Sequence, residues 1–149
     1  MKNKFQSLML VLLAGLATAV VAAEPEDIIK YRKNNMMASG GHMAATGAIL
    51  NGKVDFKNDL VDHAKALAAL NKDVAGMFPK DSDFGDTAAL DAVWKKSADF
   101  KARANDAKEK SDALVKAVAT HDKAKMSAAF GQLNDTCKAC HKDYRKEQK

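Results

Sequence analysis

Residues 122–144 read DKAKMSAAFGQLNDTCKACHKDY. Within them Met126, Phe130, Leu133, Cys137, Cys140 with His141, and Tyr144 follow at intervals of three and four, the spacing that gathers side chains on one face of an α-helix. Asp122 stands just before the run, where its carboxylate can accept from the free amides of a first helical turn. The stretch predicts a helix whose buried face carries both cysteines of the chain.

The same period extends upstream. Val93, Phe100, Ala107 and Leu114 form one stripe, flanked by Leu90, Ser97, Ala104, Ser111 and Val118, which predicts a long helix over about 87–119. Phe78 to Asp86 reads as a loop. Before it, Leu60, Leu67 and Val74 stand seven apart in a helix of about 58–77, closed by Pro79. The first helix, about 26–50, opens with Pro25, Glu26 and Asp27, residues suited to a helix N-terminus. It repeats Ile29, Met36, Met43 and Leu50 until Asn51-Gly52 stops it.

Glycine and proline are sparse after residue 52, while alanine, lysine, aspartate and leucine dominate, so the expected class is all-α. Four helices with short connections predict an antiparallel up-down-up-down bundle with crossings near +20°. Gly40, Gly47, Ala64, Ala104 and Ala107 fall where such a core normally holds leucine or isoleucine. Side chains alone would fill that interior poorly, and a bulky occupant is expected.

The 149-residue chain begins differently. Lys2 and Lys4 precede an apolar run from Leu8 to Val21, and Val21-Ala22-Ala23 offers small residues for cleavage, the three parts of a secretory leader. The run is shorter than the roughly 20 residues that span a bilayer. Residues 1–23 are therefore expected to leave as a signal peptide, giving one domain over 24–149, exported to the periplasm and without membrane insertion. Losing the two leader lysines lowers the formal charge of +5 by two. Charges of both signs are interleaved and aromatics are scarce, which argues against nucleic acid as a partner.

Cys137-Lys138-Ala139-Cys140-His141 matches C-x-x-C-H, the pattern of covalent c-type haem attachment. Two thiols three residues apart can reach the two vinyl groups of one porphyrin, and the adjacent imidazole can meet the iron. A structural zinc needs two further ligands, and His42, His63 and His121 are scattered without a second cysteine pair. A redox-active cysteine pair expects a βαβ setting that a helical pattern lacks. One covalent haem c is the expected cofactor.

A C-x-x-C-H on the last helix of an exported four-helix chain resembles the cytochrome c′ family. Pro25-Glu26-Asp27, Lys30-Tyr31-Arg32, Phe78-Pro79, Trp94, Phe100 and Cys137 through Arg145 agree with it, and the resemblance covers essentially the whole mature chain. It implies thioethers at Cys137 and Cys140, His141 as proximal iron ligand, and Arg32, Lys33 and Asp86 near the haem periphery and its propionates. A homodimer through outward faces of the first two helices is also implied. For Arg32 the plainer alternative is a surface cation beside Glu26 or Asp27.

The distal face separates two functions. Four residues after Arg32, where relatives with five-coordinate iron commonly carry leucine, this chain has Met36. A thioether there would complete the iron and raise its potential, the arrangement of an electron carrier. Met36 is therefore expected as the second iron ligand beside His141 in a one-electron carrier; the alternative is that Met36 is a core gap-filler, leaving a site for nitric oxide or carbon monoxide. Met37, Met43 and His42 are fallback ligands; His63 and His121 read as solvated surface, and Trp94 and Phe100 as core or haem packing. No acid–base pair, nucleophile elbow or phosphate loop is recognisable, so the reading is non-enzymatic. Redox proteins are the expected partners, steered by lysines such as Lys138 and Lys142.

Overall fold

The computed structural model describes residues 23–147. The expected leader falls, but for Ala23, outside the described residues.

Helix α1 spans Pro25–Leu50, with Pro25 in the first turn, where its missing N–H costs no hydrogen bond. It ends as expected, and Gly52 takes the left-handed conformation, φ 69°, that turns the chain away. Helix α2 spans only Leu60–Leu70, preceded by a 3-10 turn at Lys57–Asp59. The expected run to residue 77 stops early because the Asn71 side chain donates to the Leu67 carbonyl at 2.9 Å and to Ser111 Oγ at 3.0 Å. That bonding caps the last turn and ties it to the facing helix. Ala75–Met77 resumes as a 3-10 turn.

The third long segment also differs from expectation. Residues 87–91 are not helical, Ala92–Lys95 forms a single turn, α3, and Lys96 breaks the path at φ −117°, ψ 43° before α4, Ser97–Val118. The C-terminus of the chain captures the missing turns. Leu90 N donates to the Tyr144 carbonyl at 3.0 Å, and Lys146 N donates to the Ala88 carbonyl at 2.8 Å, so these groups pair across the fold. Helix α5, Lys123–Tyr144, agrees closely with its sequence pattern: Asp122 Oδ1 accepts from the amides of Ala124 at 2.9 Å and Lys125 at 3.1 Å.

The long helices form a ring in which α1 lies on α2, α2 on α4, α4 on α5 and α5 on α1. Consecutive helices are neighbours, the antiparallel up-down-up-down four-helix bundle, with no strand among the described residues. The interior divides into two apolar clusters. One is aliphatic: Ile49, Leu50, Leu60, Leu67, Leu114 and Leu133 are buried about Ala64. The other is built on Val74, Met77, Val93, Phe100, Ala104 and Tyr144, with Met36, Phe78, Trp94 and Cys140 packed against it.

Small residues act unevenly. Ala64, Ala104 and Ala107 are buried as expected. At Gly47 an added Cβ would lie 3.3 Å from Phe130 Cζ, so the glycine admits that ring between α1 and α5. Gly40 contradicts the expectation of a core position: it is exposed and a Cβ would meet nothing within 4 Å. The α1–α5 seam is the sparsest of the ring, and it separates Met36 on one helix from the cysteines on the other.

Candidate haem-binding site

Cys137 and Cys140 are free, half-buried thiols one turn apart on α5. Cys137 packs against the aliphatic cluster and Cys140 against the aromatic one, so the pair straddles their boundary. Burial pushes the Cys137 thiol up, and burial pushes Cys140 up to about 11, against the opposing pull of Arg103. Both stay protonated at neutral pH and are poor spontaneous nucleophiles. Next to them, burial and then the Arg145 charge lower the pKa of the half-buried His141, which favours the neutral imidazole, the form with a free lone pair for a metal.

The wall around Cys140 is aromatic. Phe78 meets Phe100 edge-on at 4.9 Å between centroids, and Phe100 meets Tyr144 in the same way at 5.1 Å. Trp94 donates from Nε1 to the Pro79 carbonyl at 3.0 Å, fixing its ring beside Phe78. The Tyr144 hydroxyl donates to the Asp99 carboxylate, and Arg103 bridges Asp99 and Asp143 at 3.6 and 3.4 Å. The bond to Asp99, reinforced by burial, pushes the Tyr144 phenol up to about 12.

From α1, Met36 is half-buried and packs against this same cluster, which Cys140 also touches. One turn earlier, Arg32 is only 3% exposed. Its guanidinium donates to Ser82 Oγ at 2.8 Å, to the Ser82 carbonyl at 2.7 Å and to Thr87 Oγ1 at 2.6 Å, and it lies 4.6 Å over the Phe78 ring. No carboxylate among the described residues pairs with it, which corrects the surface reading beside Glu26 or Asp27. Neutral oxygens and a ring face satisfy the cation instead. Burial lowers its pKa, yet an arginine keeps its charge from so high a starting value.

Lys33 and Asp86 come together, Nζ to Oδ2 at 2.5 Å, on the exposed side of the same α1-to-loop contact. The Lys33 hydrogen bond and charge hold the Asp86 carboxyl below its usual range. The fallback ligands lie elsewhere. Met37 is 72% exposed, Met43 packs on the aliphatic cluster, and His42 faces His63 across α1 and α2. His63 is thereby half-buried and bonded, which corrects its reading as solvated surface; His121 is exposed as expected.

Sequence reasoning missed Ser82 and Thr87 as the partners of Arg32, and Asp99 as the partner of Tyr144. Short polar residues in a loop carry no periodicity, and Asp99 looks like any helix-surface acid. Among the described residues no three His, Cys, Asp or Glu side chains group to hold a metal ion. Two neutral thiols a turn apart, an adjacent imidazole, small alanines and an aromatic wall fit a flat apolar macrocycle tethered through both sulfurs.

The family model described as cytochrome C′ matches residues 27–145. The chain is 36% identical to a cytochrome c′ of Pararhodospirillum photometricum over 124 residues, 83% of this chain and 99% of that one. The structure of cytochrome c prime from Shewanella frigidimarina, 32% identical, superposes with a TM-score of 0.81 over 85% of this chain and all of that one. A nitric oxide complex of a variant cytochrome c prime from Alcaligenes xylosoxidans is 26% identical, with a TM-score of 0.78 over 86% of this chain and 100% of that chain. The bundle, its paired thiols and these likenesses make the chain a member of the cytochrome c′ family of covalent haem c proteins.

Proposed function

We propose that the protein is an exported one-electron carrier in which Cys137 and Cys140 would hold haem c as thioethers and His141 and Met36 would ligate its iron. The observation that carries this reading is Met36: its side chain packs on the apolar cluster that Cys140 also touches, on the helix across the sparsest seam from α5. When bound, the haem supplies a ferric/ferrous couple, and a thioether ligand favours its reduced form.

The rest is the work of the chain. Met36 and His141 each sit within a long helix of a packed bundle, so neither ligand moves much when charge changes. Arg32, a buried permanent cation one turn before Met36, opposes further positive charge at the site and so also favours reduction. The aromatic wall of Phe78, Trp94 and Phe100 excludes water. Lys138 and Lys142, exposed beside the cysteine motif, suit brief salt-sensitive encounters with acidic redox partners. Tyr31 and Met37 on α1 and Val61 on α2 are exposed apolar side chains that suit a homodimer through those helices. The leader pattern supports a periplasmic location, and the reading is that of a carrier and not an enzyme.

Met36→Leu in purified holoprotein tests the assignment. Conversion from a low-spin to a high-spin spectrum, with new carbon monoxide binding, is expected; an unchanged low-spin spectrum means another residue ligates the iron. A second reading, reversible nitric oxide binding with Met36 displaced, draws support from the nitric oxide complex of the Alcaligenes relative. The open space at Gly40 and Gly41, one turn beyond Met36, would accommodate such movement.

A further inference from the structure

Farther along α1, on the seam with α2, His42 and His63 approach Nδ1 to Nδ1 at 2.9 Å, with ring centroids 5.2 Å apart. We propose that this pair is a second metal site, a two-imidazole clamp for a borderline divalent cation such as Zn²⁺ or Cu²⁺ that joins α1 to α2.

The argument begins with geometry. Two nitrogens bound at about 2.0–2.1 Å to one ion are separated by about 2.9 Å at a right angle and about 3.3 Å at the tetrahedral angle. The observed separation is the right-angled one, and turning the two rings so that their lone pairs converge on a point beside the pair opens it toward the tetrahedral one; imidazole nitrogen is the ligand these ions prefer. Both side chains stand on helices rather than loops. The seam that carries them is cross-linked by Asn35 Nδ2 donating to the Leu70 carbonyl at 3.0 Å. Half-burial leaves the pair reachable from solvent while the backbone fixes its spacing.

Without metal, one Nδ1 donates its proton and the other accepts it. Binding needs both lone pairs, so the ring that carries Nδ1–H becomes the Nε2–H tautomer, with no proton lost to solvent. Water completes the coordination. Ser39, three residues before His42 and so on a neighbouring part of the same helix face, holds the one buried side-chain oxygen without a partner among the described residues. Such a hydroxyl can hydrogen-bond to a metal-bound water.

Titration of purified haem-loaded protein with zinc chloride, followed by calorimetry and by the thermal midpoint, tests the site. One Zn²⁺ per chain is expected, with a midpoint that rises with zinc concentration. His42→Ala and His63→Ala should each weaken binding at least about tenfold, as loss of a metal partner does. His121→Ala, at an exposed histidine outside the pair, should leave it unchanged. The haem spectrum shows that each variant is folded and loaded. Zinc uptake unaffected by either substitution, or a stoichiometry of one zinc per two chains, would overturn the proposal and leave the pair as an N–H···N bond between helices.

Discussion

The two halves of the bundle interior are held together differently. In the aliphatic half, Leu67, Leu114 and Leu133 are fully buried and close-packed, so the helices there satisfy one another. In the half around Cys140, rings replace leucines, the small Ala104 stands among them, and a buried arginine is held by neutral oxygens. One half is organised chiefly by hydrophobic packing, and the other around a ligand that the family carries covalently. The first should be the more tolerant of cofactor loss and the second the more tolerant of lost aliphatic bulk.

Removing the tethers tests that division most severely. Cys137→Ala combined with Cys140→Ala should abolish covalent haem altogether, read as loss of haem stain on a denaturing gel. Hydrogen exchange should then quicken around Phe78, Trp94 and Phe100 while protection persists around Leu67 and Leu114. Uniform loss of protection across both halves would contradict the division.

In the aliphatic half, Leu114→Ala should cost about 2–5 kcal/mol by denaturant unfolding, the range for opening a cavity at a fully buried leucine. Its effect on the haem spectrum should be slight.

Arg32→Ala removes a buried cation with its three hydrogen bonds, and a loss of about 2–3 kcal/mol is expected, because relief of the charge's burial offsets part of the worth of those bonds. Arg32→Met should cost less, since of the two only it keeps a side chain packed over Phe78. Equal losses would mean that packing contributes nothing there. A fall in reduction potential in both variants would tie the cation to the redox centre.

The smallest effect concerns Tyr144. Its phenol, pushed up to about 12 by Asp99, should ionise late in an ultraviolet titration, and Asp99→Asn should bring the midpoint down. Because the folded pKa is raised, the bond contributes in full below the free tyrosine value of about 10 and is lost as pH climbs toward 12. A midpoint near the free value in the unaltered protein would remove Asp99 from the account.

The same division governs what the sequence reveals. Helices α1 and α5 are written locally, in Pro25 with its following acids, in Asp122, and in apolar repeats that end at recognisable stops. The cysteine motif is equally local. Residues 87–91 carry a helical pattern, but their backbone pairs with the end of α5, more than fifty residues away, and no local signal announces that. His63 looks like a surface histidine until α1 brings His42 against it. Arg32 is legible as a site residue, whereas its partners Ser82 and Thr87 depend on how the loop after Pro79 folds back. Chemistry on single helices is readable in sequence order, and chemistry that joins distant segments appears only in three dimensions.

The most direct test of the account is the optical spectrum of purified protein, oxidised and reduced, before and after carbon monoxide. Sharp low-spin reduced bands, unmoved by the gas, are the predicted result and mean that His141 and a sixth ligand, Met36, hold the iron of an electron carrier. Broad high-spin bands that shift with carbon monoxide would contradict it, reducing Met36 to packing and making the protein a gas binder.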